Sequence, residues 1–136
     1  MSLNQIINPS GQGLNLNCHT VLSNRPAPRL TTSVYNIVVD DMVKQRVLIT
    51  ASVGDNIVFT FPSTATLLDT LKRGGDALEI IVKYRSTGTI TVNSVDNIFH
   101  IIYGTSYTLP SANGTYYQTA VIGVVRVNDA GTLRIY

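Results

Sequence analysis

Residues 77–93, ALEIIVKYRSTGTITVN, decide the fold class of this chain. Apolar residues recur at every second position on both sides of Arg85-Ser86-Thr87-Gly88, a short polar link that ends in glycine. Because residues two apart share one face of a strand, this alternation indicates two β-strands. The polar link between them predicts an antiparallel hairpin.

Similar strand patterns recur on both sides of this stretch. Turn residues separate them, among them Asp40-Asp41 and Asn128-Asp129-Ala130-Gly131. Gly123, inside the longest run, is consistent with a bulge or a bend. No βαβ rhythm is visible, so the pattern predicts an all-β fold, a sandwich or a barrel. Of these we expect an antiparallel, jelly-roll-like β-sandwich with about eight strands. Beyond the hairpin, we expect strands at 34–39, 43–51, 57–61, 97–103, 116–127 and 132–136, with a short piece at 107–109.

One short helix interrupts the strands. Ser63 is suited to cap its first free amides, and Gly74-Gly75 is suited to end it. Between them lies an apolar stripe of Leu67, Leu68 and Leu71. We expect about two and a half turns of helix closing one end of the β structure.

Residues 1–32 differ from the rest of the chain. They are rich in Asn and Pro and show no sustained period, which predicts an extended N-terminal arm before a β-sandwich domain at 33–136. The segment Arg25-Pro26-Ala27-Pro28-Arg29 favours polyproline-type extension, because each proline fixes its own φ and restricts the preceding residue. We expect the arm to pack on its own domain or on a neighbour through apolar side chains, namely Leu3, Ile6, Ile7, Leu14 and Leu16.

Length and composition narrow the class of protein. The 136 residues fit one domain. Charged residues make up only 13%, about half the usual share, which leaves neutral surface for burial against a partner. The net charge of +2 comes from scattered basic residues, which disfavours nucleic acid as a partner. No signal peptide and no apolar run of about 18 residues are visible, so we expect a protein made in the cytoplasm without a membrane partner.

The sequence contains no recognisable catalytic, cofactor-binding or metal-binding constellation. Cys18-His19 would supply two ligands, whereas a metal site needs three or four. His100 lies in a predicted strand and is expected to face solvent or an interface. Asp40-Asp41 is interpreted as a solvated turn, not as a pair of catalytic carboxylates. We therefore expect no enzyme and no cofactor, although a catalytic triad of distant residues stays open.

Four tyrosines surround a loop rich in Ser, Asn, Gly and Pro. Exposed tyrosine is common at binding surfaces, because one end of the side chain is apolar and the other is polar. The cluster predicts either a contact with glycan or protein, or ordinary tyrosines at the rim of a sheet. Its members are Tyr103, Tyr107, Tyr116 and Tyr117.

Two segments, FPSTATLLDTLKRGGDALEIIVKYRSTGTITV (61–92) and QTAVIGVVRVNDAGTLRIY (118–136), carry a resemblance to a known class of domain. They resemble the small β-sandwich domains of virion surface proteins from tailed phages and large DNA viruses. Those domains combine a strand, a capped helix with leucines, a Gly-Asp pair and an apolar hairpin. They finish with a long strand, a tight turn and a short terminal strand. The resemblance spans Thr50 to Tyr136 and excludes the arm.

The resemblance implies a non-enzymatic virion structural protein, commonly a homotrimer. Because the chain is short and has no fibrous repeat, we expect a capsid decoration, cement or minor capsid protein that stabilises the particle surface. Its partners would be other copies of itself and the major capsid protein or another virion protein, and its location the virion. The alternative is a receptor- or glycan-binding head domain of a viral fibre that uses the four tyrosines.

Overall fold

The computed structural model describes residues 27–31 and 33–136. This part is mostly β, as predicted, with nine strands and two short helices. Neither helix is long and apolar enough to cross a membrane. The anchoring side chains predicted for the arm lie outside the described residues. The elements are β1 (Arg29–Thr31), β2 (Val34–Asn36), α1 (Val39–Val43), β3 (Val47–Thr50), β4 (Ile57–Phe61), α2 (Thr64–Leu68), β5 (Ala77–Tyr84), β6 (Ile90–Ser94), β7 (Tyr107–Leu109), β8 (Gln118–Arg126) and β9 (Leu133–Ile135).

The strands form two sheets, and the first six alternate between them. Sheet A has the order β1-β3-β5-β8-β9, and sheet B has the order β2-β4-β6-β7. Neighbours among β1 to β6 are parallel, whereas β7, β8 and β9 join antiparallel to β6, β5 and β8. The prediction of antiparallel sheets is therefore wrong. Parallel neighbours need a crossover, and here a strand of the opposite sheet supplies it, so no βαβ rhythm marks the sequence.

The predicted hairpin at 77–93 is also wrong. β5 belongs to sheet A and β6 to sheet B, so the link between them crosses from one sheet to the other. Ser86 in this link is fully buried and donates its hydroxyl to the carbonyl of Asp55. Thr89 N donates to Asn56 Oδ1 at 3.0 Å. The link thus stacks on the preceding crossover, a long-range contact that strand alternation does not reveal.

Two further predicted strands differ from the structure. Helix α1 replaces the turn predicted at Asp40-Asp41, and the chain then enters sheet A instead of pairing with β2. Residues 97–103 form turns with bridges at His100, because their backbone pairs with only short stretches of neighbouring chain. In both places local alternation suggested a strand where no full-length partner strand was present.

Several local predictions are confirmed. Ser63 Oγ accepts a hydrogen bond from Thr66 N at 3.3 Å and caps α2, although this helix already ends at Leu68. The turn between β8 and β9 closes with Gly131 N donating to Asn128 O at 3.3 Å. The strand at 57–61 presents every second residue to the core, and those residues, Ile57, Phe59 and Phe61, are fully buried.

Buried side chains from both sheets belong to one hydrophobic core cluster. This core lies on the inner faces of both sheets, and α2 adds to it. Its largest fully buried members are Tyr84, Phe59, Phe61, Leu48, Ile57, Leu67, Leu71, Ile80, Ile90, Ile122, Ile135 and Val82.

Gly123 marks a close approach and not a bulge. The register between β5 and β8 is continuous over eight residue pairs, so no extra residue is inserted. Gly123 and Tyr136 exchange backbone hydrogen bonds of 3.0 and 2.9 Å, and a Cβ at Gly123 would lie 2.6 Å from the Tyr136 hydroxyl. That hydroxyl donates to Glu79 at 2.8 Å. The missing side chain therefore lets the Tyr136 ring lie across β8 and reach β5.

Candidate interaction surface

An exposed apolar segment, residues 95–106, connects β6 to β7; we call it the edge loop. Five of its large hydrophobic side chains are exposed to solvent, and Ile102 reaches 73% exposure. Contiguous exposed apolar surface on a soluble protein commonly marks an interaction site. The five side chains are Val95, Phe99, Ile101, Ile102 and Tyr103.

Hydrogen bonds fix the backbone of the edge loop against sheet A. Ile101 N donates to Ile135 O at 2.8 Å, and Ile135 N donates to Phe99 O at 2.9 Å. Ile98, which is buried, donates its backbone N–H to Ser94 Oγ at 2.6 Å. The loop therefore covers the free side of β9, the outermost strand of sheet A. A covered edge is protected from unwanted strand pairing, so the apolar side chains stand on an ordered backbone.

His100 supports the edge loop through ring contacts and hydrogen bonds. Its ring lies 4.8 Å from the ring of Tyr103 and 4.2 Å from that of Tyr107, between centroids. Its Nδ1 accepts hydrogen bonds from the backbone N–H groups of Ile102 at 2.9 Å and Tyr103 at 3.2 Å. Burial lowers the pKa of His100 and raises the pKa of Tyr107 to about 12. His100 thus packs against two tyrosines as a hydrogen-bond acceptor and is half-buried, so it does not project freely into solvent. That it faces an interface stays a prediction.

This arrangement makes stability depend on pH. Because folding lowers the pKa of His100 below its ordinary value of 6.5, the neutral ring stabilises the fold above that pH. This contribution is lost as the pH falls through the folded pKa. In the wild-type protein, the urea concentration at the unfolding midpoint should therefore fall below pH 6.5. We expect this fall to be smaller in His100→Asn, which keeps an acceptor in place of Nδ1. His19→Asn serves as the control and should leave the fall unchanged; equal behaviour of both variants would contradict the assignment.

A shallow groove of about 530 Å³ lies beside this ring cluster. Its lining combines aromatic faces with hydroxyl groups, a combination suited to a polar ligand with apolar faces. None of these lining residues is a carboxylate, an imidazole or a thiol. The lining residues are Thr91, Tyr103, Ser106, Tyr107 and Thr108.

The four predicted tyrosines are divided between the two ends of β7. Tyr103 and Tyr107 lie at the start of β7 and line the groove. Tyr116 and Tyr117 lie beyond the other end of β7, directly before β8. Tyr116 is 74% exposed. The guanidinium carbon of Arg85 lies 5.6 Å from the centroid of the Tyr117 ring. Only the first pair therefore contributes to the groove.

Asp41 forms a buried ionic cluster that the sequence analysis missed. Its carboxylate is fully buried and accepts hydrogen bonds from Arg46 Nε at 3.0 Å and Arg29 Nη2 at 3.3 Å. The Tyr35 hydroxyl donates to its other oxygen. Burial and this bond to Asp41 raise the pKa of Tyr35 to about 12. The prediction of a solvated Asp40-Asp41 turn is therefore wrong for Asp41, although Asp40 is exposed.

The cluster also holds the segment that leads into β1. Arg46 also donates from Nη1 to the carbonyl of Ala27 at 2.8 Å, which fixes the segment before β1. Strand β1, which lies within the predicted arm, pairs with β3. The sequence signal for a buried Asp41 was the position of two adjacent acids within the apolar run VVDDMV (38–43). If such a run forms a helix, one of the two acids can lie on the face that packs on the core.

Neither a metal site in the described residues nor a similar known protein points to a function. Within residues 27–31 and 33–136, no group of three or more His, Cys, Asp or Glu side chains could hold a metal ion. Cys18 and His19 lie outside these ranges. No family model matches the sequence, and the chain matches neither a curated protein nor a solved structure. The surfaces of the chain itself are therefore the remaining guide to its function.

Proposed function

We propose that this protein is a non-enzymatic virion structural protein, a capsid decoration, cement or minor capsid protein that stabilises the particle surface. The edge loop carries the binding part of this proposal, because it presents five exposed apolar side chains on a fixed backbone. The assignment to a virion is supported by the sequence resemblance of residues 61–92 and 118–136 to virion surface domains, although the hairpin that forms part of that pattern is replaced here by a crossing between sheets. We further propose that the two sheets form a β-sandwich, which the core shared by both sheets supports. We also propose that the protein assembles as a homotrimer, as the resemblance implies.

The energetics favour a binding role for the edge loop. Burying a large apolar side chain is worth roughly 1.5–3 kcal/mol relative to leaving it in water. Few charged groups would have to lose their hydration, since charged residues make up 13% of the chain. A particle surface also presents many copies of each binding partner, and linked contacts raise the overall binding strength without new interactions.

The edge loop is tested by Ile102→Asp, which places a charge on its most exposed side chain. We expect self-association and retention on particles assembled without the protein to weaken at least about tenfold, because a charge in the centre of an apolar contact is poorly tolerated. Light scattering at several concentrations and co-sedimentation with the particles measure the two effects.

Val53→Asp is the matched control. Val53 is 52% exposed and lies in the crossover between β3 and β4, away from the edge loop. We expect this variant to associate like the wild-type protein. If folded Ile102→Asp associates and binds particles as well as Val53→Asp does, the edge loop is not the contact surface.

A second candidate, a receptor- or glycan-binding fibre head, is supported by the groove. Tyr103 offers an exposed aromatic face, and Thr91, Ser106 and Thr108 offer hydroxyl groups of the kind that bind sugars. A glycan array separates the two candidates. Specific hits that Tyr103→Ala abolishes and Tyr116→Ala retains would favour the fibre head, whereas an array without hits would remove it.

A further inference from the structure

The tip of the edge loop, which we define as Ile102 and Tyr103, carries two of its most exposed apolar side chains. They are 73% and 64% exposed. A backbone bridge between His100 and Gly104 closes the turn that presents them. The amides of the tip point into this turn, where His100 Nδ1 accepts from Ile102 N at 2.9 Å and from Tyr103 N at 3.2 Å. One imidazole nitrogen therefore holds the backbone of both tip residues.

The base of the edge loop is held by acceptors of a different kind. Ile101 N donates to the carbonyl of Ile135 at 2.8 Å, and Ile135 N donates to the carbonyl of Phe99 at 2.9 Å. A backbone carbonyl does not titrate, whereas histidine changes its charge between about pH 5 and pH 8. A change of pH in this range therefore acts on the tip and not on the base.

Protonation removes the acceptor on which the tip depends. A neutral imidazole has one donor and one acceptor nitrogen, whereas both nitrogens of the protonated ring are donors, so rotating the ring restores no acceptor. The two tip amides would then face an N–H group, and they regain hydrogen bonds by turning to water. The ring faces of Tyr103 and Tyr107 attract a cation, but that attraction is weaker than the cost of two donors left without acceptors. A protonated His100 therefore favours an open tip.

The tyrosines that pack on His100 do not compensate its charge. The rings of Tyr103 and Tyr107 lie 4.8 and 4.2 Å from the His100 ring, between centroids. Burial raises the pKa of Tyr107 to about 12. Tyr136, whose carbonyl accepts from the Tyr107 hydroxyl at 3.5 Å, also has a pKa raised to about 12, by burial and by its bond to Glu79. Both hydroxyls thus stay neutral in acid, and His100 gains the charge within this cluster.

The charged groups on the neighbouring elements have other partners. Within residues 27–31 and 33–136, His100 forms no ion pair. The guanidinium carbon of Arg134, on β9, lies 5.7 Å from the centroid of the Phe99 ring. Asp96, in the edge loop, accepts from the backbone N–H of Thr64 at the start of α2 at 2.7 Å. Burial lowers the pKa of His100, which is the direction expected where no carboxylate stabilises the charged ring.

We propose, on the basis of the contact role of the edge loop proposed above, that protonation of His100 opens the tip and thereby weakens association through the edge loop. At neutral pH the loop presents its five exposed apolar side chains on a fixed backbone. In acid it loses the fixed positions of Ile102 and Tyr103. The groove changes at the same time, because Tyr103 lines it.

Amide exchange measured by NMR on isotope-labelled protein tests the opening directly. The protection of each amide is its intrinsic exchange rate divided by its observed rate at the same pH. From about pH 7.5 to about pH 5, we expect the protection of Ile102 and Tyr103 to fall on the order of tenfold. The fall is limited to about 30-fold, because the ordinary histidine pKa of 6.5 lies about 1.5 above the lower pH.

Ile101 is the internal control, because its amide donates to a carbonyl of β9. Its protection should stay constant over the same change of pH. Unchanged protection at the tip would overturn the inference. An equal fall at Ile101 and Ile102 would also overturn it, since the whole loop would then have come away from sheet A.

His100→Asn separates protonation of His100 from other effects of acid. The amide oxygen of asparagine is an acceptor that does not titrate, so we expect equal tip protection at both pH values. His19→Asn retains His100 and should respond as the wild-type protein does. If folded His100→Asn loses tip protection in acid as the wild type does, another group controls the tip. If this variant does not fold, the comparison of Ile102 with Ile101 in the wild-type protein still decides.

Light scattering at both pH values separates this inference from the proposed function. We expect association of the wild-type protein to weaken about tenfold in acid, in step with the opening of the tip, and association of His100→Asn to stay constant. Equally strong association at both pH values, with an open tip in acid, would overturn the control of binding by His100 and leave the contact role standing. A protein that opens its tip in acid but associates at neither pH, with itself or with particles, would contradict the proposed contact role.

Discussion

Replacing Asp41 with alanine is expected to lower the free energy of unfolding by about 3 kcal/mol. Its carboxylate is fully buried and accepts hydrogen bonds from Arg29, Arg46 and Tyr35. Removing it leaves the side chain of Arg46, only 22% exposed, without its counter-ion. Breaking a buried ion pair typically costs 3–5 kcal/mol, and the lower end applies because Arg29 is 46% exposed and regains water.

The neighbouring residue provides the control for this prediction. Asp40 forms an ion pair with Lys44 at 3.3 Å, and both side chains are more than half exposed. We expect Asp40→Ala to change stability by no more than about 0.5 kcal/mol, since exposed pairs of this spacing contribute little. Urea unfolding of both variants measures the difference. Equal losses would show that the buried cluster adds nothing beyond a surface pair.

The position of Asp41 explains why this one carboxylate matters to the fold. Its partners come from β1 in sheet A, from β2 in sheet B and from the residue before β3. The cluster thus joins the two sheets at the edge formed by their first strands. At the opposite edge, the edge loop connects β7 of sheet B to the side of β9 in sheet A. Polar bonds secure one edge and an apolar loop covers the other.

Local features of the fold could be predicted from the sequence. The cap at Ser63 and the turn at Asn128–Gly131 depend on residues within a few positions of one another. The buried face of β4 follows from alternation alone. Strand pairing could not be predicted in this way, because Ile80 and Ile90 carry the same pattern whether their strands form a hairpin or cross between sheets.

The candidate surface was predictable only in part. Tyr103 and Tyr107 were identified as binding candidates, and they line the groove. Residues 97–103 of the edge loop were interpreted as a strand, because Phe99, His100 and Ile101 alternate as strand residues do. Exposure depends on whether a partner strand exists, and the sequence of one segment does not contain that information. The role assigned to the arm stays a prediction.

Replacing Gly88 with alanine is expected to cost about 2–3 kcal/mol, because the stacked crossovers leave no room for a side chain. A Cβ at this position would lie 2.7 Å from the carbonyl carbon of Asp55 and 3.0 Å from Asn56 Oδ1. The nearest atoms to this Cβ belong to the Asp55 backbone, which hydrogen bonds hold in place. Ser86 bonds to the Asp55 carbonyl, and Asn56 accepts from Thr89. Gly88 has no positive φ, so the cost is one of space and not of backbone conformation.

Thr87→Ala is the control for Gly88→Ala, since Thr87 is the adjacent residue and is exposed. We expect it to change stability by less than about 0.5 kcal/mol, as surface substitutions usually do. Thermal or urea unfolding of the two variants compares them directly. If residues 77–93 formed the hairpin that the sequence suggested, Gly88 would sit in a solvent-exposed turn, and both substitutions would be mild. A large loss for Gly88→Ala alone therefore distinguishes the crossing of sheets from the hairpin.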